Sequence, residues 1–141
     1  MEIVQIGIIH TPFKSSQGTP VQPAMAGNTP GRVEVFDEYA AGLLDLDGFD
    51  RIWLLFLCHR SREARMTVVP YRDDRPHGLF ATRAPSRPNP IGMSSVKLIS
   101  IAENVLHVES VDMLDGTPLV DIKPYVPRFD VFGVERCGWL D

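Results

Sequence analysis

The sequence has only two cysteines, Cys58 and Cys137. No CxxC pair or Cys/His cluster has the spacing of a zinc site, so we expect no metal. No apolar run reaches the roughly 18 residues that a membrane span requires. The start, MEIVQIGIIH, lacks the basic stretch and the small-residue cleavage site of a signal peptide. These absences favour a cytoplasmic protein without a membrane anchor, in which Cys58 is a buried free thiol.

Positive charge is scarce overall but concentrated in one segment. The 141 residues carry a formal net charge of -4. Residues 59–97 hold eight lysines and arginines against three acids, so this segment is +5 and the remainder is -9. The asymmetry suits an anionic ligand or a phosphate backbone. Charge alone leaves an equal alternative, a solvated loop with scattered arginines.

The chain also lacks βαβ alternation and a GxGxxG motif, which argues against a Rossmann fold. Its twelve prolines and eleven glycines indicate many turns. Short apolar runs bounded by turn residues predict strands at 3–9, 32–36, 51–57, 96–101, 105–111 and 119–122. We expect the run 51–57 to be buried on both faces, and Glu103-Asn104 to close a hairpin.

One helix is expected, and the connections are long. Asp37 resembles an N-cap, and the following DEYAAGLLDL predicts a short helix that Gly48 ends. Long loops are predicted over 14–31 and 60–78, a length that is usually functional or disordered. The length suits one domain over 1–141. The fold prediction is therefore a mainly β protein, a single-domain β-barrel with one or two short helices and long functional loops.

The stretch FATRAPSRPNPIGMS, residues 80–94, predicts a stiff, cationic loop. Its three prolines restrict the backbone, and a rigid loop loses little entropy when it binds a ligand. Arg83 and Arg87 offer planar donor pairs for carboxylate or phosphate. Asn89 adds a donor and an acceptor, and Gly92 permits close backbone approach. The alternative is a proline-stiffened crossover with surface arginines.

A second stretch, LDGTPLVDIKPY, combines a turn with alternating polar residues. Asp115-Gly116 is a strong turn signal. Asp121, Lys123 and Tyr125 follow at alternate positions, which places them on one face of an extended strand. An acid, a base and a phenol on one face predict a polar pocket wall.

His59 follows the apolar run 51–57, where side chains emerge at a sheet edge. It is a candidate proton acceptor or ligand contact. A structural role, which is the commoner one for a lone histidine, stays open.

Taken together, FATRAPSRPNPIGMS and LDGTPLVDIKPYVPRFD resemble the YaeB/TrmO (TsaA-like) family. The resemblance extends to the start IGIIHTPF, to PVQP at 20–23 and to FLCH at 56–59, so it covers nearly all of the chain. It implies an unusual β-barrel that binds S-adenosylmethionine and works as a homodimer, with the cofactor near the subunit interface. Its characterised members methylate the exocyclic nitrogen of threonylcarbamoyladenosine next to the anticodon of certain tRNAs.

The resemblance also implies which residues form the site. Cofactor contacts would fall on Pro20, Val21, Gln22, His59, Arg60, Arg83, Met93, Leu114, Asp115, Gly116 and Thr117. Asp121, Lys123 and Tyr125 would lie beside the reacting centre, and Arg87 and Asn89 are candidates for substrate binding. The ureido N–H of the modified adenine is more acidic than an amine, so a strong base is unnecessary. Tyr125, Asp121 or His59 could assist, and the sequence does not choose among them.

Two departures from the family keep alternatives open. Longer members have an additional C-terminal domain that this sequence does not contain, and Val21 stands where many members have an arginine. The basic segment 59–97 could compensate through phosphate contacts. Besides a tRNA methyltransferase, the sequence therefore allows a methyltransferase with a small-molecule acceptor, or a non-enzymatic S-adenosylmethionine-binding module.

Overall fold

The strands in the described part of the chain form a closed barrel and a small hairpin. The computed structural model describes residues 1–15 and 19–141, so part of the loop predicted over 14–31 lies outside the described residues. The strands are β1 (Gly7–His10), β2 (Pro30–Val35), β3 (Arg51–Leu57), β4 (Thr67–Val68), β5 (His77–Gly78), β6 (Ile91–Ala102), β7 (Val105–Glu109) and β8 (Thr117–Pro124). Antiparallel pairing closes the barrel in the order β1-β2-β7-β6-β3-β8, and β4 pairs with β5. The predicted β-barrel is confirmed.

The core fills the barrel, and one burial prediction is wrong. Ile52 and Leu54 of β3 point inward and are fully buried, whereas Trp53 and Leu55 point outward and are only half-buried. The outer wall of β3 therefore has no covering layer in the described part of the chain. Because side chains alternate along a strand, a run can be apolar throughout while only its inner face is buried.

The short helix predicted after Asp37 is present, but it has 3-10 geometry and is divided into two turns, Asp37–Leu43 and Leu46–Gly48. The backbone of Asp45 adopts a left-handed conformation (φ 69°) that separates the turns. Asp37 is not the cap, because Phe36 occupies that position. Gly48 ends the second turn, as predicted. The α-helix in the described residues is a single turn, α1 (Pro127–Asp130).

The hairpin prediction is confirmed, and it helps to orient the barrel. Glu103, with a left-handed φ of 57°, lies in the turn between β6 and β7 at one end of the barrel. The connections 11–29, 58–90 and 110–116 all leave the barrel at the other end, which we call the mouth. These connections thus begin and end at one opening of the barrel. The loop predicted over 60–78 contains the β4–β5 hairpin.

The C-terminal tail fastens part of the 58–90 connection. The indole N–H of Trp139 donates a 2.7 Å hydrogen bond to the Ala81 carbonyl, and its ring stacks on His77 with 4.7 Å between centroids. His77 in turn bonds to Asp73 at 2.5 Å, and this hydrogen bond is the main reason why the pKa of Asp73 is lowered to about 2. The tail therefore holds the β4–β5 hairpin beside the mouth.

Candidate functional site

The three connections at the mouth bond to one another. Ser110, in the β7–β8 connection, donates through its hydroxyl to the Gly27 carbonyl at 2.6 Å. Arg60 Nη1 donates to the Lys14 carbonyl at 3.0 Å. Residues that are far apart in the sequence thus meet at one end of the barrel, where the resemblance places most of the cofactor contacts.

Arg83 and Gln22, two predicted cofactor residues, form a direct pair. Arg83 Nη1 donates a 3.0 Å hydrogen bond to Gln22 Oε1. The Arg83 side chain is exposed, and its other nitrogens have no hydrogen-bond partner among the described residues. It can therefore bind a carboxylate through two N–H groups without breaking the contact to Gln22. The neighbouring Pro20 is half-buried and Val21 is exposed.

The turn 114–117 is tied to the end of β1. Gly116 has a φ of +79°, which favours glycine, and its N–H donates to the Ile9 carbonyl at 2.9 Å. The Thr117 hydroxyl donates to the Leu114 carbonyl at 2.6 Å. The predicted turn is confirmed, and its backbone is held by one hydrogen bond to β1 and one within the turn.

Asp115 already carries two hydrogen bonds in this turn. Its Oδ1 accepts from the Thr11 N–H at 2.9 Å, and its Oδ2 lies 2.6 Å from Lys14 Nζ. The Lys14 contact is the main cause of the lowered pKa of Asp115. Each carboxylate oxygen can accept a second hydrogen bond, so Asp115 remains able to bind a ligand hydroxyl or amino group. Lys14 was not predicted as a site residue from the sequence.

The proline-rich loop uses its second arginine internally. Arg87 Nη1 lies within 3.0–3.3 Å of the carbonyls of Leu79, Thr82 and Ala84. This guanidinium therefore holds the loop in shape. Asn89 is exposed beside it. His59, at the start of the same connection, is exposed as well.

The predicted catalytic residues lie on the outer wall of the barrel. Asp121, Lys123 and Tyr125 share the outward face of β8 and its continuation, as the alternation predicts. Asp121 Oδ2 lies 3.0 Å from Lys123 Nζ, and the Tyr125 and Trp53 rings pack with 5.5 Å between their centroids.

Met93 belongs to this outer wall too. The strand register aligns Asp121 with Leu55, and Leu55 with Met93, in one row across β8, β3 and β6. The Met93 side chain is 55% exposed. Within one chain, this face and the mouth are two separate groups of predicted site residues.

An acid at the mouth was missed in the sequence. The half-buried Asp112 accepts a 2.7 Å hydrogen bond from the hydroxyl of Ser94, which is buried. Burial raises the pKa of Asp112 to about 6. The available signals were weak: Asp112 separates the core residues Val111 and Met113, and Ser94 interrupts an apolar alternation.

Cys58 lies close to this acid. Burial and the charge of Asp112 raise the pKa of the Cys58 thiol, and the nearby Arg87 opposes the increase. Cys58 is a free cysteine, as predicted, but it is only half-buried. Its side chain follows Phe56 on the inward side of β3 and therefore ends at the open mouth.

No group of three His, Cys, Asp or Glu side chains in the part of the chain that the structure describes could hold a metal ion. No helix among the described residues is long and apolar enough to cross a membrane.

The chain is similar to proteins of known family over almost its whole length. A family model described as the tRNA-methyltransferase O N-terminal domain matches residues 8–131. A probable S-adenosyl-L-methionine-binding protein of Pyrococcus abyssi is 51% identical over 136 residues, which cover 96% of this chain and 74% of the relative. A tRNA (adenine(37)-N6)-methyltransferase of Escherichia coli is 40% identical over 133 residues, covering 87% of this chain and 57% of that enzyme.

The solved structures agree with the barrel architecture. A crystal structure of TrmO from Pseudomonas aeruginosa is 35% identical and superposes with a TM-score of 0.83. The superposition covers 100% of this chain and 63% of that one. The chain thus spans about three-fifths of both the Escherichia coli enzyme and the solved structure.

Proposed function

Because the chain belongs to the family of the tRNA-methyltransferase O N-terminal domain, we propose that it methylates tRNA with S-adenosylmethionine as methyl donor. The proposed acceptor is the exocyclic nitrogen of threonylcarbamoyladenosine next to the anticodon. The observation that carries the proposal is the family match over residues 8–131, together with a mouth that brings together Gln22, Arg83 and Asp115.

The chemistry of the mouth fits the cofactor. Arg83 presents N–H groups that bond to none of the described residues and that suit the carboxylate of S-adenosylmethionine. Asp115 retains acceptor capacity for its ribose hydroxyls or adenine amino group. The remaining contacts proposed from the resemblance are Pro20, Val21, Gln22, His59, Arg60, Met93, Leu114, Gly116 and Thr117.

When bound, the cofactor supplies an electrophilic methyl group, so the task of the protein is to position the acceptor nitrogen. We propose that Asp121, Lys123 and Tyr125 orient the modified base. The 3.0 Å contact between Lys123 Nζ and Asp121 Oδ2 holds these two side chains next to each other on the outer wall. Arg87 and Asn89 are proposed to contact the substrate. A tRNA substrate would place the reaction in the cytoplasm.

A homodimer would bring the two groups of residues together. The outer face that carries Asp121 and Met93 is partly apolar and uncovered in the described chain, and Leu55 and Trp53 lie beside them. Packing of a second copy on this face would bury that surface and enclose the polar trio. Sedimentation equilibrium is expected to give twice the chain mass of 15.7 kDa. A monomer at all concentrations that still methylates tRNA would rule out this assembly.

The proposed function is tested by methyl transfer to tRNA. The protein is incubated with radiolabelled S-adenosylmethionine and tRNA that carries threonylcarbamoyladenosine, and with the same tRNA lacking the modification. Label is expected only in the modified tRNA, and only with Asp121, Lys123 and Tyr125 intact. Transfer of the label to small metabolites but not to tRNA would show that the acceptor is a small molecule.

A second candidate function is binding of S-adenosylmethionine without catalysis. It is favoured by the Pyrococcus abyssi relative, which is 51% identical and is named only as a probable binding protein. Saturable cofactor binding with no transfer to modified tRNA would support this candidate. Transfer that is lost in Tyr125→Phe and Asp121→Asn would exclude it.

Replacement of Arg83 by alanine is expected to weaken cofactor binding about tenfold, since a hydrogen bond to a charged group contributes roughly 1.5–3 kcal/mol. Calorimetric titration with S-adenosylmethionine measures the effect. Arg75→Ala is the matched control, because it removes the same charge from an exposed position between β4 and β5. An equal loss in both variants would mean that overall charge, and not the Arg83 contact, determines affinity.

A further inference from the structure

A second surface, outside the predicted site, has the chemistry of a phosphate-binding groove. A cavity of about 510 Å³ lies on the outer side of β1, β2 and β7 and reaches the mouth. It contains three basic side chains that the strand register aligns: His10 is opposite Arg32, and Arg32 is opposite His107. We call this cavity the β1–β2–β7 groove.

The aligned side chains point away from the core. Ile9, Val33 and Leu106, their neighbours along the three strands, are fully buried. His10, Arg32 and His107 are therefore side by side on the outer wall, on strands about 4.8 Å apart.

The acids near the groove already have basic neighbours. Glu34 Oε1 lies 3.2 Å from His10 Nε2, and Asp115 Oδ2 lies 2.6 Å from Lys14 Nζ. Glu109 is opposite Lys97 in the β6–β7 ladder.

Two donors in the groove are still free. Arg32 is exposed, and its guanidinium has no hydrogen bond or ion pair to any residue that the structure describes. His107 is exposed and equally without a side-chain partner in that part of the chain. An arginine fork beside an imidazole N–H suits the oxygens of a phosphate.

The groove continues into the candidate cofactor site. Lys14 and Asp115 line it, and Asp115 belongs to the turn proposed to bind the cofactor. A nucleic-acid strand bound in the groove would therefore lead to the mouth.

We propose that Arg32 and His107 bind a backbone phosphate of the RNA substrate and so dock it in the β1–β2–β7 groove. This inference rests on the proposed function, because it requires an RNA acceptor. It goes beyond that function by placing an RNA contact outside the basic segment 59–97.

The test measures tRNA binding by the full chain over a range of salt concentrations. Arg32→Gln and His107→Gln are each expected to weaken binding severalfold at low salt. Arg32→Gln should also reduce the slope of log Kobs against log[salt] by about 0.7–0.9, the value for one phosphate contact. Affinity for S-adenosylmethionine should not change, which also shows that the variants fold.

Arg128→Gln is the matched control, because it removes one exposed arginine from α1. The inference is overturned if Arg32→Gln leaves the salt slope unchanged, or if Arg128→Gln reduces the slope equally. Methylation of tRNA by the unaltered protein would in that case leave the proposed function intact. No tRNA binding by the unaltered protein overturns both. Binding of inorganic phosphate or a nucleoside monophosphate that depends on Arg32, without tRNA binding, assigns the groove to a small anion and overturns RNA docking.

Discussion

Replacement of Gly7 by alanine is expected to destabilise the barrel by about 3 kcal/mol or more, at the upper end of what overpacking of a core usually costs. A β-carbon at this position would overlap the backbone oxygen of Glu34 and would lie 3.2 Å from a methyl group of Leu119. Gly7 pairs with β2 on one side and β8 on the other. If β1 moved away from β2, it would be pushed into β8 or would lose its hydrogen bonds. The closed barrel therefore cannot relieve the steric overlap by a small shift of β1.

Chemical denaturation measures this effect, and Gly42→Ala is the matched control. A β-carbon at Gly42 would have no neighbour within 4 Å, so the expected change is within about 0.5 kcal/mol. Equal stability of the two variants would contradict the argument that steric exclusion at the β1–β2 contact requires glycine.

Local sequence signals predicted the strands better than the connections between them. The hairpin at Glu103 and the inward Val33 and Val35 follow from turn chemistry and period-two alternation. The helix predicted after Asp37 forms, but it is a 3-10 helix and is interrupted at Asp45. Composition does not show this interruption, at which Leu44 is 82% exposed while Leu46 is buried. Closure of the barrel by pairing of β1 with β8 depends on contacts between residues more than 100 positions apart. A pattern read over a few consecutive residues does not include both partners.

The site was predictable to the extent that its residues are close together in the sequence. The turn at Asp115 and the alternation of Asp121 with Lys123 were read directly from LDGTPLVDIKPY. The pairing of Asp112 with Ser94 depends on how the β7–β8 connection crosses the mouth. The alignment of Arg32 with His107 depends on strand register, which is set by the whole barrel.

Asp112 has a measurable effect on how stability depends on pH. Burial raises its pKa from 3.8 to about 6, so the folded protein holds the proton more tightly than the unfolded chain does. Below about pH 4 the group is protonated in both states and has no effect. As pH rises from about 4 to 6, the unfolded chain ionises first and the folded state loses stability. Above about pH 6 the loss is complete.

Asp112→Asn is therefore expected to stabilise the protein by about 2 kcal/mol at pH 7.5 and to change little at pH 4, since one pKa unit corresponds to about 1.4 kcal/mol and partial exposure reduces the effect. The asparagine oxygen can still accept the hydrogen bond from Ser94. Denaturation at the two pH values measures the difference. The opposite sign is expected for Ser94→Ala at pH 7.5, because it leaves the carboxylate without that donor. If Asp112→Asn shifts stability equally at both pH values, its charge is not the cause. A stabilisation confined to the higher pH would mean that the protein retains an ionised acid at a cost, as functional sites commonly do.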